Sequence, residues 1–199
     1  HGKNWQAGPS QKTVWEYYAA GASGLHLEDQ VFPKRCGHLD GKSLVSIEDM
    51  SKKIQIAVNA SIACSEGDFI ICARSDAKGV EGFDSMITRL KAYIDSGADM
   101  IFPEGLATLD EFKAVAEALK GYGPKGGPFL LANMTEFGKT PYIKLEEFKA
   151  AGFNCVIYPV TTLRVAQKAI EDFLLDFKKN NTQEAFVPKL ELLFIQNAN

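Results

Sequence analysis

The sequence predicts an α/β fold with a parallel sheet, because short apolar runs alternate with longer amphipathic stretches along its 199 residues. Each run is nearly continuous in apolar residues, which is typical of a strand buried on both faces. Between the runs, apolar residues recur at helical spacing. No long linker or low-complexity segment interrupts this repeat, so we expect a single domain over residues 1–199.

The repeat assigns the elements in order along the chain. A helix over Thr13 to Ala20 is expected to lead into the first strand. The five predicted strands are Ser23 to Glu28, Asp68 to Arg74, Ala98 to Phe102, Pro128 to Asn133 and Phe153 to Tyr158. The helices that follow them are Ile47 to Ala63, Asp84 to Ser96, Thr108 to Leu119, Lys144 to Ala151 and Thr162 to Lys179. Glycines close three of these helices, because glycine favours a left-handed cap.

Two parallel architectures fit the repeat, a five-stranded doubly wound sheet and a (β/α)8 TIM barrel. The predicted strands begin about 32 residues apart on average. Eight such units would need about 260 residues, close to the ~250 that are typical of a barrel. On length alone, the chain therefore favours the open five-stranded sheet.

Charge and hydrophobicity exclude several classes of function. The formal net charge is -3 without a block of like charges, whereas a nucleic-acid binder needs a basic stripe. No apolar run reaches the ~20 residues of a spanning helix, and the first ten residues lack a signal-peptide pattern. Four cysteines without a CxxC pair indicate free thiols in a reducing compartment. We therefore expect neither nucleic acid nor membrane as a partner.

Polar side chains follow all five predicted strands, at the end where parallel α/β proteins keep their active sites. One such residue alone usually caps a turn or a helix. Five in register predict a shared pocket, because the carboxyl ends of parallel strands converge. The residues expected in this pocket are Glu28, Arg74, Glu104 and Asn133.

The loop after the first strand contains a cysteine in cationic surroundings. Cys36 stands beside Lys34, Arg35 and His38, with Gly37 adjacent. Nearby positive charge favours a thiolate, so such a cysteine can act as a proton donor or a nucleophile. From the local sequence alone, an incidental thiol in a surface loop remains the alternative.

Six motifs resemble the isocitrate lyase and phosphoenolpyruvate mutase superfamily, and within it the 2-methylisocitrate lyases. They are LHLEDQ, PKRCGH, ICARSDA, DMIFPEG, LANMTEFGKTP and VIYPVTTLR, in that order. The resemblance covers Val14 to Thr182 and implies a (β/α)8 barrel of which this chain carries strands four to eight. In the family, three strands and an aspartate-rich metal-binding motif precede this part, and the first residues here do not match that motif.

The resemblance also implies a reaction, the Mg2+-dependent cleavage of 2-methylisocitrate to pyruvate and succinate. Cys36 would protonate the succinate carbanion, and Glu28 would hold Mg2+ through a water molecule. The other residues of the mobile gating loop would be Lys34, Arg35, Gly37 and His38. The substrate, a di- or tricarboxylate, would be bound by Arg74, Glu104, Asn133, Thr135 and Arg164.

The relatives imply a homotetramer that exchanges its last helix, located in the cytoplasm or the mitochondrial matrix. Two alternatives to the lyase remain open at this point. The chain could be a truncated, non-catalytic relative that acts as an interaction or structural protein. It could also be a related lyase or hydrolase that acts on another 2-hydroxy or 2-oxo diacid.

Overall fold

The structure, a computed structural model, describes residues 7–37 and 41–189. Five strands lie in this part: β1 (Gly24–Glu28), β2 (Ile70–Ser75), β3 (Met100–Pro103), β4 (Phe129–Asn133) and β5 (Cys155–Ile157). The helices are α1 (Ala7–Ala19), α2 (Ile47–Ser65), α3 (Lys78–Glu81), α4 (Phe83–Asp95), α5 (Leu109–Leu119), α6 (Leu145–Ala150) and α7 (Thr161–Asn180). A 3-10 helix over Glu184–Lys189 ends the described chain.

The five strands form one parallel sheet in the order β1-β2-β3-β4-β5. Each strand therefore pairs with the strand that precedes it in the chain, as in a barrel. A doubly wound sheet would instead reverse its strand order at a switch point. The alternative that length favoured, a five-stranded doubly wound sheet, is thus wrong, because chain length cannot reveal strand order.

All five predicted strands are confirmed, with ends that differ by at most two residues. The five predicted helices that follow the strands are also confirmed, with ends that differ by at most two residues. The first helix begins at Ala7, six residues before the predicted Thr13. The structure also adds α3, which is only four residues long and contains Gly79. A helix of one turn shows no periodicity, so the sequence pattern could not predict it.

Helices cover one face of the sheet and form the core with it. Ile71, Ala73, Ile101 and Ala132 point to this face and are fully buried. On the opposite face, Cys72 and Phe102 are also buried, whereas Phe129 at the start of β4 is 55% exposed. The polar residues at the strand ends follow directly from these paired strands. The pairing register therefore sets the distances between them.

The described chain separates into two compact units, the second of which begins at Pro159 and contains α7. No side chain of α7 is buried in the described structure, and its apolar stripe includes Ile170 and Leu174. No helix within residues 7–37 and 41–189 has both the length and the hydrophobicity needed to cross a bilayer. The prediction of a single domain over residues 1–199 stays a prediction.

Candidate functional site

The carboxyl ends of β1 to β4 bring together the four residues that the strand pattern predicts for a shared pocket. Glu28 and Arg74 are neighbours in register, with Arg74 Nε 3.4 Å from Glu28 Oε2. Arg74 Nη2 lies 3.3 Å from Glu104 Oε2, and Asn133 Nδ2 donates to the same oxygen at 3.4 Å. We call Glu28, Arg74, Glu104 and Asn133 the strand-end cluster.

The loop that carries Cys36 lies against this cluster. Lys34 Nζ donates to Glu28 Oε2 at 2.9 Å. A Cβ atom added to Gly37 would lie 2.5 Å from Glu104 Cγ and 2.7 Å from Arg74 Nη2. Gly37 is therefore in direct contact with both side chains, and only a residue without a side chain fits there. Cys36, next to it, is an exposed free thiol.

Arg74 is held in place by Asp76, the second residue after it. Its Nε and Nη2 atoms donate to the two carboxylate oxygens of Asp76 at 2.9 and 3.2 Å. Its guanidinium also lies 5.0 Å from the centre of the Phe102 ring. Burial opposes the charged form, but the hydrogen bonds to Asp76 and the charge of Glu104 raise the pKa of Arg74 overall. A fixed positive charge thus stands at the centre of the cluster.

Asn133 provides an unsatisfied acceptor in this cluster. Its Oδ1 atom is buried and has no hydrogen-bond partner among the residues that the structure describes. A buried polar atom without a partner costs free energy, which a ligand that donates a hydrogen bond would offset. This atom therefore indicates a binding position beside Glu104.

Thr135, Arg164 and His38 are the other predicted substrate and loop residues. Thr135 lies two residues beyond the end of β4, at the same end of the sheet. Arg164 lies in the first turn of α7, in the second compact unit. His38 falls outside the described residues. Arg35 contributes backbone contacts, which are described below.

A buried network centred on Asp29 supports the cluster and was not predicted as functional. Asp29 Oδ2 accepts hydrogen bonds from Ser75 Oγ at 2.7 Å and Tyr93 Oη at 2.9 Å. Its Oδ1 accepts from the Asp76 backbone N–H at 3.0 Å. Burial raises the pKa of Asp29 despite these bonds. The sequence places Asp29 directly after β1, but the partners Tyr93 and Ser75 left no pattern that links them to it.

Arg89 and Glu81 extend the network to the surface, and their pairing predicts a pH dependence of stability. Arg89 donates to both carboxylate oxygens of Glu81, at 2.8 and 2.6 Å, which lowers the pKa of Glu81 from 4.5 to about 2. Because the folded-state pKa is depressed, this stabilisation is complete above about pH 4.5 and is lost as pH falls towards about 2. In urea unfolding, Glu81→Gln should be less stable than wild type at pH 7, with a clearly smaller difference at about pH 3. A difference that is equal at both pH values would contradict the assignment.

The contact of Gly37 with the strand-end cluster leads to a second prediction. Gly37→Ala would place a methyl group within 2.7 Å of Arg74 and Glu104, so the loop or the side chains must shift. Misplacement by about 1 Å in an active site costs on the order of 10²-fold in rate, so we expect the turnover proposed below to fall at least about tenfold. Gly8→Ala, in open space on α1, is the matched control and should be neutral. Unchanged turnover of Gly37→Ala would show that the contact is unimportant.

The described residues show no three-ligand metal cluster. Within residues 7–37 and 41–189, no group of three or more His, Cys, Asp or Glu side chains is arranged to hold a metal ion. The Glu28 carboxylate, predicted to hold Mg2+ through water, is bonded to Lys34 and lies beside Arg74. Mg2+ binding therefore stays a prediction.

A depression in the described structure lies away from the strand-end cluster. Its volume is about 630 Å³, and it is lined by the amino ends of β4 and β5, including Phe129 and Asn154. The strand-end cluster lies at the opposite ends of these strands. A glycine-rich turn forms part of the lining, and Lys113, Glu117 and Lys120 contribute charged side chains.

Comparison with known proteins gives consistent matches along most of the chain. Residues 5–177 match the family model described as phosphoenolpyruvate phosphomutase. The chain is 48% identical over 180 residues to a 2-methylisocitrate lyase from Aeropyrum pernix. This match covers 90% of this chain and 54% of that protein. It is 42% identical over 171 residues to a 2,3-dimethylmalate lyase from Eubacterium barkeri, covering 86% and 56% respectively. The chain thus spans about half the length of the curated relatives it matches.

Solved structures agree in fold. Oxaloacetate acetylhydrolase in complex with the inhibitor 3,3-difluorooxalacetate matches with a TM-score of 0.81 and 36% identity, over 88% of this chain and 57% of that one. Phosphonopyruvate hydrolase in complex with oxalate and Mg2+ matches with a TM-score of 0.75 and 25% identity, over 94% and 62%. The five strands described above are thus similar to part of the barrels in these enzymes.

Proposed function

The chain belongs to the phosphoenolpyruvate phosphomutase family, and we propose that it acts in a carbon–carbon lyase that cleaves 2-methylisocitrate to pyruvate and succinate. The single observation that carries the proposal is the strand-end cluster with the Cys36 loop packed on it. The 48% identity to a 2-methylisocitrate lyase is the reason for proposing 2-methylisocitrate as the substrate.

The cluster has the charges that such a cleavage needs. The substrate is an anion whose carbon–carbon bond breaks after a base takes the proton of its hydroxyl group. Arg74 would attract a substrate carboxylate or the alkoxide that forms when the substrate hydroxyl loses its proton, and burial strengthens that attraction. Asn133 would donate through its amide, while its unsatisfied Oδ1 accepts a hydrogen bond from the substrate.

The proposed role of Cys36 is to complete the proton balance. Bond cleavage leaves the electron pair on a succinate carbon, and the Cys36 Sγ–H group would donate its proton there. Because Gly37 touches Arg74 and Glu104, the neighbouring thiol is held at the edge of the same cluster. The remaining assignments, with Lys34, Arg35 and His38 in the loop and Thr135 and Arg164 at the substrate, are part of the proposal.

Magnesium is part of the proposal. A family member whose structure holds oxalate and Mg2+ supports it, as does the negative charge of the substrate. The described residues contribute at most Glu28, so no step of the reaction is assigned to the ion. Loss of activity in EDTA and its recovery with Mg2+ would support the requirement.

Two related reactions are the second candidates, because a 2,3-dimethylmalate lyase and an oxaloacetate acetylhydrolase are also similar to this chain. The identity to the 2-methylisocitrate lyase, 48% against 42% for the 2,3-dimethylmalate lyase, favours 2-methylisocitrate. A panel of the three substrates distinguishes these functions.

The test measures pyruvate and succinate released from 2-methylisocitrate by the protein that carries this sequence at its natural length. We expect equal amounts of both products with Mg2+ present, and none from Arg74→Met. Product from dimethylmalate or oxaloacetate alone would reassign the substrate. No product from any of the three would favour the non-catalytic alternative, an interaction or structural role.

We also propose a homo-oligomer in the cytoplasm. Exposed apolar side chains on α7, including Leu163, Ile170 and Leu174, are available for contacts between copies. Light scattering would detect the tetramer that the family resemblance implies, and a monomer would contradict it. The reported relatives come from Bacteria and an archaeon, which gives no support to the mitochondrial matrix as an alternative.

A further inference from the structure

The Cys36 loop is held on its N-terminal side by a buried glutamine. Gln30 Nε2 donates to the Arg35 backbone oxygen at 2.9 Å, and the Arg35 backbone N–H donates to Gln30 Oε1 at 2.8 Å. Gln30 is only 6% exposed. Both backbone polar groups of the residue before Cys36 are therefore bonded to one amide side chain.

A buried lysine binds the backbone on the C-terminal side of Cys36. The Lys42 side chain is 4% exposed, and its Nζ atom donates to the Gly37 backbone oxygen. The same ammonium lies 3.8 Å from Asp76 Oδ1, and Asp76 in turn binds Arg74. Lys42 thus connects the residue after Cys36 to the carboxylate that orients the arginine of the strand-end cluster.

The backbone that carries Gln30 and Lys42 is itself held by hydrogen bonds. Val31 N–H donates to the Ser43 oxygen at 2.8 Å, and Val45 N–H donates to the Asp29 oxygen at 2.9 Å. These bonds pair the chain after β1 with residues 43–45, next to Gln30 and Lys42. Because this pairing anchors the Gln30 and Lys42 side chains, their hydrogen bonds restrain the backbone around Cys36.

Burial of an amide and an ammonium is unfavourable unless each is hydrogen-bonded or paired with an opposite charge. Here both groups bond to the backbone on either side of a single exposed thiol. Gly37 at the same point touches Arg74 and Glu104, so the restrained segment is the one in contact with the cluster.

We propose that Gln30 and Lys42 are positioning residues that fix Cys36 against the strand-end cluster. The consequence for turnover rests on the proposed function, whereas the restraint on the Cys36 backbone does not. Neither residue needs to touch the substrate, since each acts through the backbone of Arg35 or Gly37. Displacement of a proton donor by about 1 Å can lower a rate by on the order of 10²-fold, so a restraint of this kind matters for chemistry.

The variants that test this are Gln30→Ala and Lys42→Met, made in the full-length protein. Gln55→Ala and Lys52→Met are their matched controls, because both residues lie exposed on α2. The measurements are hydrogen exchange of the Arg35 amide, the alkylation rate of Cys36 by iodoacetamide read from its peptide mass, and kcat and KM. Cys64, on α2, is alkylated in the same samples and reports on the integrity of the fold.

In Gln30→Ala, the Arg35 amide should exchange about tenfold faster, which is the loss of one hydrogen bond worth about 1.4 kcal/mol. Gln30→Glu keeps an acceptor oxygen and should retain most of the protection. In both Gln30→Ala and Lys42→Met, Cys36 should be alkylated at least threefold faster while Cys64 is unchanged. Their kcat should fall at least tenfold with KM within threefold of wild type.

Exchange and alkylation rates that match wild type would overturn the proposal, whether or not the protein is a lyase. If both rates rise and kcat is unchanged, the restraint exists but Cys36 needs no positioning, and the proposal is again overturned. If wild type releases no pyruvate, the proposed function fails, while the exchange and alkylation results still decide whether Gln30 and Lys42 restrain the loop.

Discussion

Cys36→Ser should lower the turnover of 2-methylisocitrate by about 10²- to 10⁴-fold, the usual contribution of a general acid. Serine has nearly the same shape, but its hydroxyl is a far weaker acid than a thiol, so protonation of the carbanion becomes slow. Cys36 is exposed in the structure, and its replacement should leave the free energy of unfolding within about 0.5 kcal/mol of wild type. Steady-state release of pyruvate is the measurement.

The matched control is Cys64→Ser, which changes a thiol on α2 that the site does not use. Its turnover should equal that of wild type. If Cys36→Ser is as active as Cys64→Ser, then Cys36 is not the proton donor, and the strand-end cluster alone must account for any activity.

Asp29→Ala should destabilise the fold by about 3–5 kcal/mol, the cost of removing one partner from a buried charged network. The substitution leaves three donors without their acceptor, namely Ser75 Oγ, Tyr93 Oη and the Asp76 backbone N–H. It also removes the negative charge 3.7 Å from Arg89 Nη1. Urea unfolding at neutral pH measures the loss as a lower midpoint with an unchanged slope.

Two further variants keep this test informative if Asp29→Ala does not fold. Asp29→Asn retains one acceptor oxygen and should lose less stability than the alanine variant. Asp68→Ala removes a carboxylate from an exposed position and should change stability by no more than about 0.5 kcal/mol. If Asp29→Ala is no more costly than Asp68→Ala, the network does not contribute to stability as described.

The strands and the strand-end cluster were predictable from sequence because both depend on patterns that are local in the chain. A buried parallel strand has a continuous apolar run, and the residue that ends it is visible as a break in that run. The polar residues that end these runs are Glu28, Arg74, Glu104 and Asn133. Parallel pairing of the strands brings them together. The order of the strands was not predictable in this way, because five similar units can be arranged in more than one sheet.

The supporting contacts escaped prediction for a different physical reason. Lys42 reaches Asp76 and Gly37 through a long side chain that folds back across a loop, and Tyr93 reaches Asp29 from a helix 64 residues away. Neither contact gives rise to a regular spacing of residues that could be recognised in the sequence. Asp29 and Gln30 did stand at the predicted strand end, but a carboxylate or amide there is usually a simple turn residue, so their partners had to be seen in space.

The strictly sequential order of the strands also bears on how the chain folds. Backbone hydrogen bonds between neighbouring strands connect residues only 23 to 47 positions apart, as between Met134 and Ile157 or Ile70 and Ser23. No pairing between the first and last strands of the sheet is required, so the entropy lost in each loop closure stays small. Contacts of such modest range favour rapid folding, and each unit can dock onto the previous one in the order in which a ribosome delivers them.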